Sequence, residues 1–285
     1  MVGICLMDLQ SHVGREEICN DIADPVRMAG LAALLDHDSS PWQPGTFPPL
    51  GHWLCFPPIV RQSLIGTDGH PTKTDDGLLP NIDLPRRMWA GSRVAFLHDI
   101  EYGAALTRRS TLTAAQPKSG RSGTMLFVTV RHEIGCHGQV AIVEEQDIVY
   151  RDAPMAGAPS VRSGGVMDGT DHAVRIISPD PIQLFRYSAL TFNSHRIHYD
   201  RDYACNIENY PGLVVHGPLI ATLLMDHMLR ECAGAAVRTF DFRALSPLFD
   251  GDPIRLGMTR DANTVQLRAI GPAGVAMTAT ATLSS

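Results

Sequence analysis

Two stretches of the chain carry apolar residues at helical spacing, and around them hydrophobic and polar residues alternate with the period of two that marks strands. Residues 24–36, DPVRMAGLAALLD, predict a helix of about three turns. Asp24 suits the N-cap, Pro25 suits the first helical position, and the apolar side chains fall on one face. Residues 40–80 are too dense in Pro, Gly and Trp for regular elements. Strand-like runs follow between Gly91 and Tyr150, among them TMLFVTVRHEI and QVAIVEEQDIVYR, with turn signals at Lys118-Ser119-Gly120 and His137-Gly138.

Residues 153–169, APMAGAPSVRSGGVMDG, read as a linker or long surface loop, after which the plan of the first half recurs. IQLFRYSALT is read as a strand leading to a second helix that starts near Gly217. That helix carries Leu219, Ile220, Leu223, Leu224 and Met228 on one stripe and Ala221 and Met225 behind it, so it is expected to be buried on most faces. AVRTFDFRAL, PIRLGMTR, TVQLRAI and VAMTATATL read as strands. In the third of these Val265, Leu267 and Ala269 face one way and Gln266 and Arg268 the other. The expected organisation is a unit over 1–152, a linker over 153–171 and a second unit over 172–285.

Composition narrows the class. A chain of 285 residues with 44% hydrophobic and 19% charged residues fits a globular protein and excludes disordered and fibrous ones. The start lacks a basic segment ahead of an apolar run, and no stretch approaches the roughly 20 apolar residues that span a bilayer. A cytoplasmic location without membrane contact is the expectation. Six scattered cysteines without a C-x-x-C pair fit free thiols. A net charge of −6 argues against nucleic acid as a partner. His132 and His137 flank Cys136, but in hairpin sequence without a carboxylate-His pattern, so no metal site is expected there.

Candidate chemistry concentrates in residues 190–228, LTFNSHRIHYDRDYACNIENYPGLVVHGPLIATLLMDHM. An imidazole can exchange a proton near neutrality, which makes His195, His198 and His216 candidates for a base. Asp200 suits the N-cap of the short turn after it. At Val215-His216-Gly217-Pro218 a helix begins, where amides without partners point outward and a glycine admits a ligand close to the backbone.

HRIHYDRDYA followed by YPGLVVHGPLIATLL resembles the C-terminal half of the hot-dog hydratases and dehydratases that act on acyl thioesters, the MaoC-like and type 2 hydroxyacyl-thioester dehydratases. Their signature is Asp, a variable residue, Asn-Pro-aliphatic-His, a further Asp two positions on, and Tyr-Ala. His198, Ile197, Asp200 and Tyr203-Ala204 match it. Asn193 stands at the position of the catalytic Asp, and His195-Arg196 replace Asn-Pro; the mesaconyl-C4-CoA hydratase branch shares the FNSHRIHYD form. The resemblance implies an α+β double hot-dog fold, with antiparallel sheets joined edge to edge around central helices.

It also implies a hydratase that adds water to a short branched dicarboxylic enoyl-CoA such as itaconyl-CoA or mesaconyl-C4-CoA, giving citramalyl-CoA. His198 would carry the proton, Asn193 would orient the water, and the Gly217 amide would hold the thioester oxygen. Arg196 and His195 are candidates for a carboxylate at the far end of the acyl group, and Lys118, Arg121, Arg86 and Arg87 for the phosphates of CoA. No cofactor is called for beyond the CoA of the substrate, and a homodimer is left open. Two rival functions remain: a 3-hydroxyacyl-thioester dehydratase of fatty acid synthesis working on an acyl carrier protein, and a non-catalytic acyl-CoA-binding module.

Overall fold

The structure is a computed structural model that describes residues 12–72, 74, 77–79, 84, 86–120, 123–151 and 171–284. Ten strands form one antiparallel sheet: β1 (Glu16–Ile22), β2 (Arg86–Phe96), β3 (Ala105–Gly120), β4 (Gly123–Cys136), β5 (Gln139–Arg151), β6 (Ala173–Ile177), β7 (Val237–Ala244), β8 (Ile254–Asp261), β9 (Thr264–Gly271) and β10 (Gly274–Leu283). Their spatial order is β1-β3-β4-β5-β2-β7-β10-β9-β8-β6. Read inward from either edge the order is the same, with β6 to β10 standing for β1 to β5. The duplication that residue identity does not reveal is therefore explicit in the topology. The halves join where β2 pairs with β7, from Gly91 opposite Arg243 to Ala95 opposite Thr239. This edge-to-edge union is the double hot-dog arrangement.

Three helices complete it: α1 (Pro25–Leu34), α2 (Pro181–Thr191) and α3 (Gly217–Glu231). α1 starts as expected, with the Asp24 carboxylate accepting the Val26 amide and Pro25 in the first turn. α3 is buried around its circumference from Leu219 to Met228 and packs against β8, β9 and β10. α2 corrects the sequence reading, which has IQLFRYSALT as a strand. The Asp180 side chain caps the Gln183 amide at 2.7 Å, and Leu184, Tyr187 and Ser188 form the buried face while Ile182 and Phe185 face outward. These spacings are helical, and the aromatic and β-branched residues that suggested a strand sit where α2 tolerates them.

The hairpin between β4 and β5 turns at His137 and Gly138, both with positive φ, as the turn signal implies. Among the described residues of 40–80 the helical elements are two short 3-10 turns, Gly51–Leu54 and Gln62–Leu64. The expected linker lies, apart from Asp171, outside the described residues. Cys19, Cys55, Cys136, Cys205 and Cys232 are free thiols. Among the described residues no helix is long and apolar enough to cross a membrane.

Candidate active site

α2 ends at Phe192, whose left-handed backbone turns the chain sharply. The residues that follow are folded by local bonds. The Asn193 side-chain oxygen accepts the His195 amide at 3.0 Å, and Arg196–His198 form a single 3-10 turn. A π-helical turn, Tyr203–Ile207, comes next, capped through Tyr203 by Asp200 at 3.0 Å. The segment then runs back beside the His198 turn, with the Val214 amide bonded to the Ile197 carbonyl at 3.0 Å, and enters α3 at Gly217.

His198 is buried, and its Nδ1 lies 2.7 Å from the Val214 carbonyl. A carbonyl can only accept, so Nδ1 carries the hydrogen and the neutral ring presents a lone pair on Nε2. Burial pushes its pKa down to about 3, helped by the neighbouring His195. The ring is consequently uncharged throughout the neutral range and keeps its lone pair available. Its face stacks on His216 at 3.6 Å between centroids, and His216 Nε2 is tied to the buried Ser188 hydroxyl at 2.9 Å. His216, at the start of α3 and bonded to Ser188 of α2, thus ties the His198 ring to both helices. His216 is itself held well below its ordinary pKa by burial and by His198.

Asp200 does what a cap does. One carboxylate oxygen accepts the Tyr203 amide and the other takes Arg196 at 2.7 and 3.0 Å, and these bonds keep its pKa low. Arg196 is correspondingly engaged: besides Asp200, its guanidinium donates to the Thr67 carbonyl at 3.0 Å and lies over the Tyr203 ring at 4.2 Å. These contacts brace the catalytic turn, so the structure gives Arg196 a bracing task where the sequence suggests a substrate carboxylate.

The remaining basic candidates divide. Arg86 is paired with the Glu208 carboxylate at 3.0 Å and covers Tyr210. Lys118 stands over Phe127 on β3, and Arg121 lies outside the described residues. Arg87 is exposed on β2 and makes no ion pair among the described residues. Its charge nonetheless reaches His195, whose pKa is pushed down to about 3, first by desolvation, then by His70, with Arg87 a smaller contributor. His132, by contrast, has both ring nitrogens bonded, to Ser110 at 2.8 Å and Gln146 at 3.2 Å.

Gly217 is the first residue of α3, where an amide has no intrahelical acceptor. A Cβ built at Gly217 would meet nothing within 4 Å, so open space adjoins this backbone. An oxygen carrying developing negative charge fits there, at the positive end of the helix.

Sequence reasoning missed one part of the site. The turn Gly66–His70 of the first half docks on the catalytic turn of the second. The Arg196 amide donates to the Asp68 carbonyl at 2.9 Å and the Ser194 hydroxyl to the Gly69 carbonyl at 2.6 Å. His70 lies with its ring 4.0 Å from that of His195, which meets His198 edge-on at 5.3 Å. Asp68 and His70 are joined by a 3.0 Å bond. One donor atom from each of Asp68, His70 and His195 falls within 4.8 Å of the others, a closeness that this bond helps create. The only sequence signal is the Asp-Gly dipeptide of a tight turn.

The chain is similar to known proteins over most of its length. Residues 49–250 match the family model described as hydroxyacyl-thioester dehydratase type 2. Mesaconyl-C(4)-CoA hydratase of Chloroflexus aurantiacus is 43% identical over 97% of this chain and 98% of its own. The mitochondrial hydroxyacyl-thioester dehydratase type 2 of Schizosaccharomyces pombe is 32% identical over 74% of this chain and 77% of its own. Among solved structures, a MaoC-like dehydratase from Phytophthora capsici superposes with a TM-score of 0.71 at 13% identity, covering 95% of this chain and 96% of that one. A Mycobacterium tuberculosis protein described as a double hot dog gives 0.56 at 12% identity over 99% of both chains, and these two likenesses speak for the fold alone. A family match that spans both docked turns, and a relative alike over nearly its whole length, make this chain an enzyme of the hydroxyacyl-thioester dehydratase type 2 family.

Proposed function

We propose that the protein is a CoA-thioester hydratase acting on a short branched dicarboxylic enoyl-CoA, mesaconyl-C4-CoA or itaconyl-CoA, to give citramalyl-CoA. The observation that carries the reaction is the fixed tautomer of His198: the bond from Nδ1 to the Val214 carbonyl aims a neutral Nε2 lone pair at a reactant. The relative from Chloroflexus supplies the substrate class. Water attacks the β-carbon of the enoyl thioester as His198 removes its proton. In mesaconyl-C4-CoA, whose double bond is conjugated with the thioester, its electrons move toward the thioester oxygen, which the Gly217 amide stabilises, and a proton then reaches the α-carbon; itaconyl-CoA enters this route once its double bond has shifted one carbon toward the thioester, a proton leaving the α-carbon as another joins the terminal CH2. Asn193, with its oxygen bonded to the His195 amide, keeps its NH2 group for orienting the water.

In mesaconyl-C4-CoA the second carboxylate is attached to the β-carbon and must lie next to the base. Carrying a carboxylate into such an enclosure requires a charge-assisted partner. Arg87 is the candidate cation without an ion pair among the described residues and with an electrostatic reach to His195. We assign the acyl carboxylate to Arg87, with His195 as a neighbouring hydrogen-bonding group. Arg86 and Lys118 remain on the CoA side of this reading.

The dehydratase alternative runs the same chemistry in reverse on an acyl carrier protein and has no use for a cation beside the base. The binding-module alternative has no use for a buried, tautomer-fixed imidazole. Incubation of the purified protein with mesaconyl-C4-CoA, itaconyl-CoA, crotonyl-CoA and longer enoyl-CoAs tests all three. The expected result is formation of citramalyl-CoA, seen by mass and, for mesaconyl-C4-CoA, by loss of thioester-conjugated absorbance. Turnover confined to long straight-chain substrates would favour the dehydratase, and none at all the binding module.

A further inference from the structure

We infer that His70, oriented by Asp68, is a second catalytic acid of this site, delivered from the opposite half of the chain to supply the proton that Asn193 cannot exchange. The inference rests on the hydratase reading above. Its observations are geometric. The Gly66–His70 turn is fastened to the catalytic turn by three bonds: Arg196 amide to Asp68 carbonyl, Ser194 hydroxyl to Gly69 carbonyl, and Arg196 guanidinium to Thr67 carbonyl. At Gly69 the backbone has φ +91°, and any Cβ would collide with the Ser194 carbonyl. Such fastening fixes a side chain that has no part in the hydrophobic core.

Asp68 sets what that side chain presents. Its carboxylate accepts the His70 amide at 3.0 Å and lies 3.0 Å from Nδ1, so Nδ1 carries a hydrogen and Nε2 is left for the other side of the ring. The Asp68 carboxyl is held far below its usual range, chiefly by this bond, and so stays an acceptor at every working pH. On the other side stands His195 and then His198, whose electrostatics His70 also touches. The two imidazoles with assigned proton roles therefore flank His195.

The step balances as follows. A water O–H bond breaks and its proton goes to His198 Nε2 while the oxygen bonds to the β-carbon. The displaced π pair passes through the enolate to the α-carbon, which takes the Nε2 proton of a doubly protonated His70 ring as that N–H bond breaks, leaving the neutral ring with its Nδ1 hydrogen on Asp68. One proton then returns from His198 to His70, whose ring edge is about 30% exposed to solvent, and the cycle closes without any further reactant.

The test compares wild type with His70→Gln, His70→Ala, Asp68→Asn and the Asp68→Asn/His70→Gln double variant, on mesaconyl-C4-CoA. His70→Gln is expected to lower kcat by about 10² with KM changed by less than about threefold, and added imidazole to raise the His70→Ala rate by about tenfold. Asp68→Asn acts only through His70, so the double variant should be no slower than His70→Gln. A His70→Gln kcat within about twofold of wild type, or in its place no imidazole rescue of His70→Ala, overturns the assignment while wild-type hydration keeps the function. Activity that a chelator removes and zinc restores would also overturn it, by making Asp68, His70 and His195 a metal site. A wild-type enzyme inert toward every enoyl-CoA would remove both readings together.

Discussion

Ser194 and Gly69, 125 residues apart in sequence, are bonded hydroxyl to carbonyl at 2.6 Å, and the glycine backbone lies so near Ser194 that no side chain fits between them. The turn that carries His198 is therefore held by a turn from the other half of the chain.

Gly69→Ala tests that contact. The substitution meets a backbone carbonyl rather than a flexible side chain, at a φ that L-residues avoid, so the turn must move. A loss of about 2 kcal/mol or more in stability is expected, together with a kcat reduced more than about tenfold. Chemical denaturation and steady-state kinetics check both; a variant with wild-type kcat would show that the docking is dispensable.

Acid should destabilise the fold before it reaches ordinary carboxylate pKa values. His195 and His198 stay neutral down to about pH 3, and burial likewise holds the His216 pKa well below its ordinary value, whereas imidazoles in the unfolded chain protonate near 6.5. Between those limits the unfolded state binds more protons, so stability is full above about pH 6.5 and falls as pH drops toward 3. Melting temperature against pH measures this. The acid limb of kcat/KM belonging to His198 should likewise lie below about pH 5, and a limb centred near 6.5 would contradict a buried neutral base.

Arg87→Met and Arg196→Met separate two tasks. If Arg87 meets the acyl carboxylate, its loss should cut kcat/KM for mesaconyl-C4-CoA by a factor on the order of 10², with crotonyl-CoA, which lacks the carboxylate, affected far less. Arg196→Met should instead weaken both substrates alike, because Arg196 braces the turn through Asp200 and Thr67. The reverse pattern would return the carboxylate to Arg196.

Much of this was legible in the sequence. Asp24-Pro25 marked the start of α1, His137-Gly138 the β4–β5 hairpin, and the alternation at Val265, Leu267 and Ala269 the buried face of β9. α2 was missed although Asp180-Pro181 repeats the capping signal of Asp24-Pro25, because Phe185, Tyr187 and Thr191 carry strand preferences that tertiary packing overrode. The turn that carries His198 was readable as a continuous string resembling the family's. Asp68 and His70 were not, since nothing local in an irregular loop reports which distant segment it will touch. The pairing of Arg196 was not read either: nearness in sequence to His198 suggested a substrate contact, and Asp200, four residues on, holds its guanidinium.

Hydration of mesaconyl-C4-CoA by wild type and by His198→Ala, with folding of both verified by melting temperature, weighs the whole reading. The expected outcome is citramalyl-CoA formation by the wild type and a loss of about 10³-fold or more in kcat by the variant, within the range that removal of a general base produces. Turnover of His198→Ala at the wild-type rate would contradict it, and would mean that the imidazole held by Val214 serves the fold and not the reaction.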